Sequence, residues 1–352
     1  MSLICSTIQH IAPLDAAAMQ AARERQNTLT KPLGSLGRLE DLSVQLAGIQ
    51  RRARPDVSSK AIFVMAGDHG CVAEGVSAYP QEVTPQMVFN FARGGAAINV
   101  LACHVGARVI VVDMGVAGDC AAESVITRKI ARGTQNMAVG PAMSADEARR
   151  CIEAGIEILE GELARGLDLA GTGDMGIGNT TPSAAIIAAF TGQSPAAVTG
   201  RGTGIDDARL AIKVGVIERA LAANKPDPTD ALDVLAKVGG FEIGGLAGVI
   251  IAAAAHHVPV VIDGVISSAA ALIATGLAPQ SRDYLIAGHL SVEPGHRAAL
   301  GHMKLEPVLD LGMRLGEGTG GALAMNVVDA AAKTLNGMAT FTDAGVSEAL
   351  EE

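Results

Sequence analysis

The sequence has 352 residues, 49% of them hydrophobic and 18% charged, so it can bury a large core without disulfide or metal crosslinks. Its net charge of -10 and its lack of Trp argue against nucleic-acid binding, which depends on phosphate contacts and base stacking. The most apolar stretch, residues 243–255, is too short to cross a membrane and predicts a buried helix. We therefore expect the partners to be small molecules or a second copy of the chain.

The cysteines and the first 15 residues indicate the cellular compartment in which the protein folds. The five cysteines are an odd number without C-x-x-C spacing, which favours neither a disulfide framework nor a zinc ribbon. Residues 1–15 have no basic segment and no long apolar segment, so we expect no signal peptide. Together these features favour a reducing cytoplasm.

Strand-like and helix-like patterns alternate along the chain. Short runs rich in Val and Ile, each bounded by Gly or Asp, predict buried strands at residues 61–66, 108–112, 167–170, 259–262 and 284–287. Helices are predicted from a Ser144–Glu147 capping box to about residue 165, from Thr181-Pro182 with proline at the first helical position, and at 206–223, 229–238 and 245–255.

This alternation predicts an α/β fold with a doubly wound, mostly parallel, Rossmann-like sheet. Both ends of the chain are helical without clear strands. We therefore expect residues 1–55 and 311–352 to form a small helical domain, and residues 56–310 to form the α/β domain that holds the active-site loops.

Polar residues fall where the predicted strands end, and the carboxyl edge of a parallel sheet is where ligands bind. They are Asp68, Asp113, Asp174, Asp263 and His289. Asp at such a position also ends strands and caps helices without any ligand. Five together favour a shared cleft.

Three glycine-rich segments, 171–181, 200–204 and 316–321, can curl their backbone N–H groups around an anion. The first also leads into a helix, whose N-terminus favours phosphate. Asn179, Thr180 and Thr181 add side-chain donors, and Arg201 or Lys213 could add positive charge. The same glycines could also serve tight turns without a ligand.

Residues 171–176 match the G-x-G-x-x-G pattern, so an NAD(P)-dependent oxidoreductase is an alternative. That pattern requires a helix that begins inside the motif and an acidic residue after the next strand. Here the helix is predicted to begin later, at Thr181, and the next extended stretch leads to Gly200-Arg201, which argues against a dinucleotide site.

Other common catalytic motifs are missing from the sequence. It contains no P-loop and no G-x-S-x-G nucleophile elbow. Neither His256-His257 nor Asp68-His69 has metal-ligand spacing with a second cluster, so we expect no metal site.

Taken in order, the motifs resemble one family, the nicotinate-nucleotide:dimethylbenzimidazole phosphoribosyltransferases of cobalamin nucleotide-loop assembly. The matching segments cover nearly the whole chain. They are Lys31-Pro-Leu-Gly-Ser-Leu-Gly-Arg-Leu-Glu40, Gly67-Asp-His-Gly70, Gly75-Val-Ser-Ala-Tyr-Pro80, Gly176-Ile-Gly-Asn-Thr-Thr-Pro182, Gly200-Arg-Gly-Thr-Gly204, Gly288-His-Leu-Ser-Val-Glu-Pro-Gly-His296 and Arg314-Leu-Gly-Glu-Gly-Thr-Gly-Gly-Ala322.

The resemblance implies a homodimer that converts β-nicotinate mononucleotide and 5,6-dimethylbenzimidazole to α-ribazole 5′-phosphate and nicotinate, without a metal or redox cofactor. It implies Glu317 as the catalytic carboxylate, with Asp174 beside it. It places the nucleotide and its phosphate at Gly176, Ile177, Gly178, Asn179, Thr180, Gly202, Lys213, Ser291 and Gly316, and the base at Tyr79, Gln86, Met87 and Leu315.

The chain departs from the family pattern at Asp174, where Glu is common, so the carboxylate is kept but its reach is shorter. This departure leaves open the role of Asp174 and the order of preference among benzimidazoles, purines and phenolics. Beside the transferase and the oxidoreductase, a third interpretation is a nucleotide sensor that binds without catalysis.

Overall fold

The fold is built on one parallel sheet. The computed structural model describes residues 2–347, and within them the sheet has six strands in the order β3-β2-β1-β4-β5-β6, all parallel. The strands are β1 (Lys60–Gly67), β2 (Ala107–Gly115), β3 (Val125–Thr127), β4 (Leu169–Met175), β5 (Val260–Ile262) and β6 (Leu285–Ala287). This is the predicted doubly wound α/β sheet, and its order reverses between β1 and β4.

Helices cover both faces of the sheet. In chain order they are α1 (Leu3–Gln9), α2 (Ala16–Thr28), α3 (Arg38–Gln50), α4 (Val83–Ala92), α5 (Ala97–His104), α6 (Ala145–Leu163), α7 (Thr180–Thr191), α8 (Pro195–Val198), α9 (Asp207–Asn224), α10 (Ala231–Val238), α11 (Phe241–Ala255), α12 (Val265–Leu277), α13 (Pro294–Met303), α14 (Thr319–Gly337) and α15 (Phe341–Ala344). Short 3₁₀ turns span Gly70–Glu74 and Pro279–Tyr284.

Strand β1 shows why the fold has two cores. All eight of its residues are buried, and successive side chains point to opposite faces of the sheet. Phe63 and Met65 join the cluster that contains α6 and α11, whereas Ile62 and Val64 join the cluster that contains α14. The uninterrupted apolar run in the sequence therefore reflects burial from both sides.

The starts of two helices were predicted correctly. Ser144 and Glu147 form the expected capping box of α6, because each side chain accepts a hydrogen bond from the other residue's backbone N–H. Asp206 caps α9 through the N–H of Arg209. At α7 the prediction was wrong by a few residues: Asn179 is the N-cap, and Pro182 is the third helical residue instead of the first.

Three strand and helix boundaries also differ from the predictions. Strand β4 continues through the glycine-rich residues 171–175, which were predicted as loop. Helix α11 begins at Phe241, four residues before its predicted start. Strand β3 was not predicted, because its three residues form a short edge strand in which only Val125 is buried.

Glycines bring α6 and α11 into backbone contact. A Cβ at Gly155 would overlap the carbonyl oxygen of Gly245, and one at Gly248 would overlap the carbonyl oxygen of Ile152. The glycines of α11 thus allow two helices to approach closely, so they do not mark a loop before the helix.

The two ends of the chain meet. Leu29 and Thr340 form an isolated antiparallel bridge, and the guanidinium of Arg25 donates to the carbonyl oxygens of Leu335, Asn336 and Met338. Buried residues of α2, α3 and α14 form a cluster of their own. Helix α1, in contrast, packs against α6 and α11.

These contacts agree with a helical unit made from both ends. The proposed division into residues 1–55 with 311–352 and residues 56–310 stays a prediction, and residues 348–352 lie outside the described part of the chain. Among residues 2–347, no helix is both long and apolar enough to span a membrane.

Candidate active site

A cleft of about 560 Å³ opens at the carboxyl edge of the sheet. Open α/β sheets bind ligands where the strand order reverses, which here is between β1 and β4. The sequence-predicted site residues that line the cleft are Tyr79, Asp174, Gly178, Asn179, Thr180, Gly202, Ser291, Leu315 and Gly316. Residues far apart in the chain therefore share one cavity.

The segment from Gly176 to Thr180 connects β4 to α7 along the wall of this cleft. A Cβ at Gly176 would overlap the carbonyl oxygen of Gly67, and Gly178 has a φ of +88°, so both positions favour glycine. The N–H of Ile177 donates to Thr84 Oγ1 at 3.1 Å. The turn is thereby held with the N-terminus of α7 toward the cleft, an arrangement that suits an anion.

A buried lysine stands behind this helix start. Lys213 Nζ donates to Thr180 Oγ1 at 2.7 Å and to the carbonyl oxygen of Gly200 at 3.2 Å. Burial lowers the pKa of Lys213 to about 8, and Glu293 opposes that effect. Lys213 thus links the loop of residues 200–204 to the start of α7.

Glu317 lies on an unusual turn before α14. Gly316, Glu317 and Gly318 all have positive φ, at 83°, 63° and 97°. Such a conformation is unfavourable for Glu, so the surroundings must hold it in place. Asp263 does so by accepting the N–H groups of Gly318 at 3.2 Å and Gly321 at 2.9 Å.

Strand β4 also fixes this turn. A Cβ at Gly173 would overlap the carbonyl oxygen of Glu317, so the backbone of the turn lies directly on the strand. This contact explains why β4 is rich in glycine although it is a strand.

The carboxylate of Glu317 is buried, with 7% of the residue exposed. Its Oε2 accepts the N–H of Ile98 in the first turn of α5 at 3.2 Å, while Oε1 has no hydrogen-bond partner among the described residues. Burial raises the pKa of Glu317, and nearby Asp263 raises it further, while the Ile98 N–H acts in the opposite direction. Oε2 is therefore held in place, whereas Oε1 keeps its capacity to accept a hydrogen bond.

Asp174 is the second buried carboxylate of the cleft. Its Oδ2 accepts a hydrogen bond from Asn179 Nδ2 at 2.9 Å, and its Oδ1 has no partner within residues 2–347. Burial and the charge of Asp263 raise the pKa of Asp174 well above its ordinary value, and Glu317 adds to the effect. A carboxyl group with a raised pKa keeps its proton to a higher pH than an exposed Asp does.

Comparison with known proteins assigns the family. A family model described as Phosphoribosyltransferase matches residues 11–346. A protein of Desulforudis audaxviator named nicotinate-nucleotide–dimethylbenzimidazole phosphoribosyltransferase is 64% identical over 350 residues, which are 99% of each chain. A protein of Chloroflexus aggregans with the same name is 61% identical over 352 residues, all of both chains. The chain belongs to the nicotinate-nucleotide:dimethylbenzimidazole phosphoribosyltransferase family.

Solved structures agree with this family assignment. A crystal structure from Thermus thermophilus, whose title gives the same enzyme, matches with a TM-score of 0.91 and 47% identity. The match covers 96% of this chain and all of the other. The chain is thus a phosphoribosyltransferase, and the family resemblance inferred from its motifs is confirmed.

The remaining predicted site residues of this phosphoribosyltransferase do not line the cleft themselves. Gly176, Ile177, Lys213 and Glu317 stand directly behind residues that do. Gln86 and Met87 lie on α4, where Gln86 is exposed and Met87 packs against the core that contains α14. Neither is among the residues that line the cleft in the part of the chain that the structure describes.

The five polar residues at strand ends divide into two groups. Asp174 and His289 line the cleft, and Asp263 braces the Glu317 turn. Asp68 and Asp113 do not reach it: Asp68 accepts the N–H of Ala117, and Asp113 accepts that of Val116 and pairs with Lys129. For these two residues the expectation of a shared cleft was wrong, and each carboxylate instead holds a backbone N–H group.

The oxidoreductase pattern also has a structural explanation. Gly171 and Gly173 lie inside β4, and the helix begins only at Thr180. In a dinucleotide site the first two glycines form the turn itself. The match to G-x-G-x-x-G therefore arises from strand packing.

Among the cleft-lining residues that sequence reasoning missed are two charged ones, Glu293 and Arg314. Both were quoted only as parts of longer motifs. Glu293 is 7% exposed, and its Oε1 accepts the N–H of Gly202 at 2.9 Å. Arg314 donates to the carbonyl oxygen of Gly202 at 3.0 Å. A buried Glu beside two glycine loops is the signal that could have pointed to the first.

Proposed function

We propose that this phosphoribosyltransferase moves the phosphoribosyl group of β-nicotinate mononucleotide onto 5,6-dimethylbenzimidazole. The products are α-ribazole 5′-phosphate and nicotinate, a reaction of cobalamin biosynthesis. The observation that carries the proposal is the buried Glu317 carboxylate, fixed at the carboxyl edge of the sheet beside an anion-binding helix start.

Glu317 is proposed as the general base. The imidazole nitrogen of the acceptor attacks C1′ of the ribose, and the bond from C1′ to the nicotinate nitrogen breaks with its electron pair returning to the pyridine ring. The acceptor becomes cationic unless its other ring N–H loses a proton, and Glu317 Oε1 is free to take it. Attack opposite the leaving group inverts C1′ from β to α.

The electrostatics of Glu317 suit this role. Burial raises its pKa, which makes the carboxylate a stronger base than an exposed Glu. The hydrogen bond from Ile98 holds Oε2 without protonating it. The group is thus both oriented and reactive near neutral pH.

The phosphate of the nucleotide is proposed to bind at the start of α7, with Lys213 directly behind Thr180. Gly178, Asn179 and Thr180 line that part of the cleft, and Lys213 adds a buried positive charge behind them. Because the phosphate is remote from C1′, its binding energy can orient the ribose for attack. Ser291, Gly202 and Gly316 complete the proposed nucleotide site.

The planar base is proposed to lie against Tyr79 and Leu315. Both line the cleft, and both are more than half exposed without a ligand, at 54% and 59%. Gly316 and Gly318 flank Glu317 without side chains, so a flat ring can approach it. Contributions of Gln86 and Met87 to this slot stay predictions.

Asp174 is proposed as a supporting carboxylate. It accepts a hydrogen bond from Asn179 at the start of α7, and burial together with the charge of Glu317 raises the pKa of Asp174. Since Asp is one methylene shorter than Glu, it leaves more space at the cleft floor than the family's usual residue would.

The decisive experiment is to incubate the protein with nicotinate mononucleotide and a panel of bases, and to identify the products by mass spectrometry. Nicotinate should appear only when a base is present. Binding without release would favour the sensor, and an absorbance change at 340 nm with NAD(P)H and a substrate would favour the oxidoreductase.

We further propose that the protein works as a homodimer in the cytoplasm. Its five cysteines are all free thiols, which agrees with a reducing compartment. Light scattering coupled to size exclusion should give twice the chain mass, and a monomer at assay concentration would contradict the dimer.

A further inference from the structure

Glu293 is a buried carboxylate that the proposed reaction does not use. It follows Ser291 and immediately precedes α13, and only 7% of it is exposed. Its Oε1 accepts the N–H of Gly202 at 2.9 Å, and its own N–H donates to Ser291 Oγ at 3.4 Å. Burial penalises the charge of a carboxylate, so favourable interactions with neighbouring groups must offset that penalty.

The loop of residues 200–204 is fitted between Glu293 and Lys213. A Cβ at Gly200 would overlap Glu293 Oε2 and lie 2.8 Å from Pro294 Cδ, so the loop lies directly on the carboxylate. From the other side, Lys213 Nζ holds the carbonyl oxygen of Gly200 at 3.2 Å. The loop backbone therefore connects an anion to a cation.

Lys213 needs this anion because its own hydrogen-bond partners are neutral. They are the hydroxyl of Thr180 and the carbonyl oxygen of Gly200. Burial drives the pKa of Lys213 down to about 8, and Glu293 is the largest influence in the opposite direction. A phosphate site depends on the protonated form of the lysine.

The other charged groups around Lys213 are accounted for. Helices α7 and α8 carry no titratable side chain. The 3₁₀ turn carries Cys71 and Glu74, and Glu74 pairs with Arg219. On α10, Asp233 and Lys237 pair with each other. Arg201 pairs with Asp207, and Arg314 donates to the carbonyl oxygen of Gly202. Glu293 is thus the unpaired carboxylate of this set.

We propose that Glu293 is a positioning residue of the nucleotide site: it anchors the Gly202 N–H and supplies the negative charge that keeps Lys213 a cation. This inference rests on the proposed function only in naming the ligand as a phosphorylated ribose. Glu293 lines the cleft, but it is not proposed as a phosphate ligand, since a carboxylate repels phosphate. It acts through the loop and the lysine.

The test is the dissociation constant of nicotinate mononucleotide, measured by calorimetry as a function of pH. Glu293→Gln keeps an oxygen for the Gly202 N–H but removes the charge. Lys213 should then lose its proton at lower pH than in the wild type. We expect the variant to bind about tenfold more weakly than wild type at about pH 9, and nearly equally at about pH 6.5, where Lys213 is protonated in both proteins.

A second variant separates the two roles. Glu293→Asp keeps the charge but cannot reach Gly202, so its weakening should be the same at both pH values. If the dissociation constant of Glu293→Gln divided by that of the wild type does not change with pH, or if the variant binds more tightly, the charge role is overturned. Wild-type affinity for Glu293→Asp at both pH values would overturn the anchoring role.

Glu218→Gln is the matched control, since Glu218 is exposed on the same helix as Lys213. It should bind like wild type at both pH values, and the melting temperature of each variant reports whether it folds. Nicotinate release is measured in parallel on the wild type. Binding with the expected pH pattern but without release would refute the proposed reaction alone, and release with a pH-independent ratio would refute the Glu293 role alone. A wild type that does not bind the mononucleotide would refute both.

Discussion

Replacing Glu317 with Gln removes the proposed base while leaving its surroundings almost unchanged. The amide oxygen of Gln can accept the Ile98 N–H as Oε2 does at 3.2 Å, and Gln has the same length and branching at the left-handed φ of this position. What is lost is the ability to take a proton. General-base catalysis is worth about 10²- to 10⁴-fold, so we expect kcat to fall by that factor, or about 2.7 to 5.4 kcal/mol of barrier.

The same substitution should not weaken the fold. Burial raises the pKa of Glu317 above the value of an unfolded chain, so the ionised form is the less favourable one in the folded protein. Any stability that this group contributes is present at low pH and is lost as the pH rises. At neutral pH the neutral Gln therefore keeps or raises the melting temperature.

The assay follows nicotinate release by chromatography under saturating substrates, with the nucleotide dissociation constant measured separately. Glu306→Gln serves as the control, since Glu306 is on the surface and pairs only with Arg38. A kcat within about threefold of wild type in the Glu317→Gln protein would refute the base assignment, because even the weakest general base contributes more than that.

Three further predictions concern the same site. Gly173→Ala should displace the Glu317 turn that lies on it and lower kcat together with the melting temperature. The control Gly215→Ala, at an open position in the middle of α9, should stabilise the protein by about 0.5–1 kcal/mol without changing kcat. The pH profile of kcat should lose activity on the acid side at a higher pH than an ordinary Glu would give, because the base must be ionised and its pKa is raised; a profile flat down to pH values near the ordinary Glu pKa would contradict this. Lys213→Ala should raise the KM for the nucleotide much more than it lowers kcat, and an unchanged KM would exclude a phosphate role.

The sheet was largely predictable because its strands are buried on both faces. Continuous Val and Ile runs marked β1, β2, β5 and β6 within one to three residues. Strand β4 was cut short because Gly171 and Gly173 were taken as the start of a loop. In the structure those glycines admit Met325 and the carbonyl of Glu317, a tertiary requirement that no local pattern reveals.

The same reason explains the start of α11. Gly244 and Gly248 lower helix propensity, yet the packing of α6 requires them, since Cβ atoms there would overlap Cys151 Sγ and the carbonyl oxygen of Ile152. The low helix propensity of these glycines disfavours a helix here, but tertiary packing stabilises it.

For the site, sequence reasoning found the loops and missed how they are held. The glycine segments and Glu317 are visible as motifs, so their meeting in one cleft could be inferred. Asp263, which holds the Glu317 turn, was predicted only as a residue at the end of a strand. Glu293, which holds the Gly202 N–H, was noted only as part of a longer motif. Both act through backbone N–H groups far away in sequence, and sequence spacing does not reveal such contacts.

The joined ends of the chain have a consequence for its synthesis. Arg25 finds its carbonyl partners about 310 positions later, and Thr30 donates to the carbonyl of Ala339. A nascent polypeptide emerges from its N-terminus, so Arg25 of α2 meets Leu335 of α14 only after the 310 residues that separate them have been made. The turn of Glu317 immediately precedes α14, so the reactive carboxylate and the helix that joins α2 and α3 leave the ribosome together.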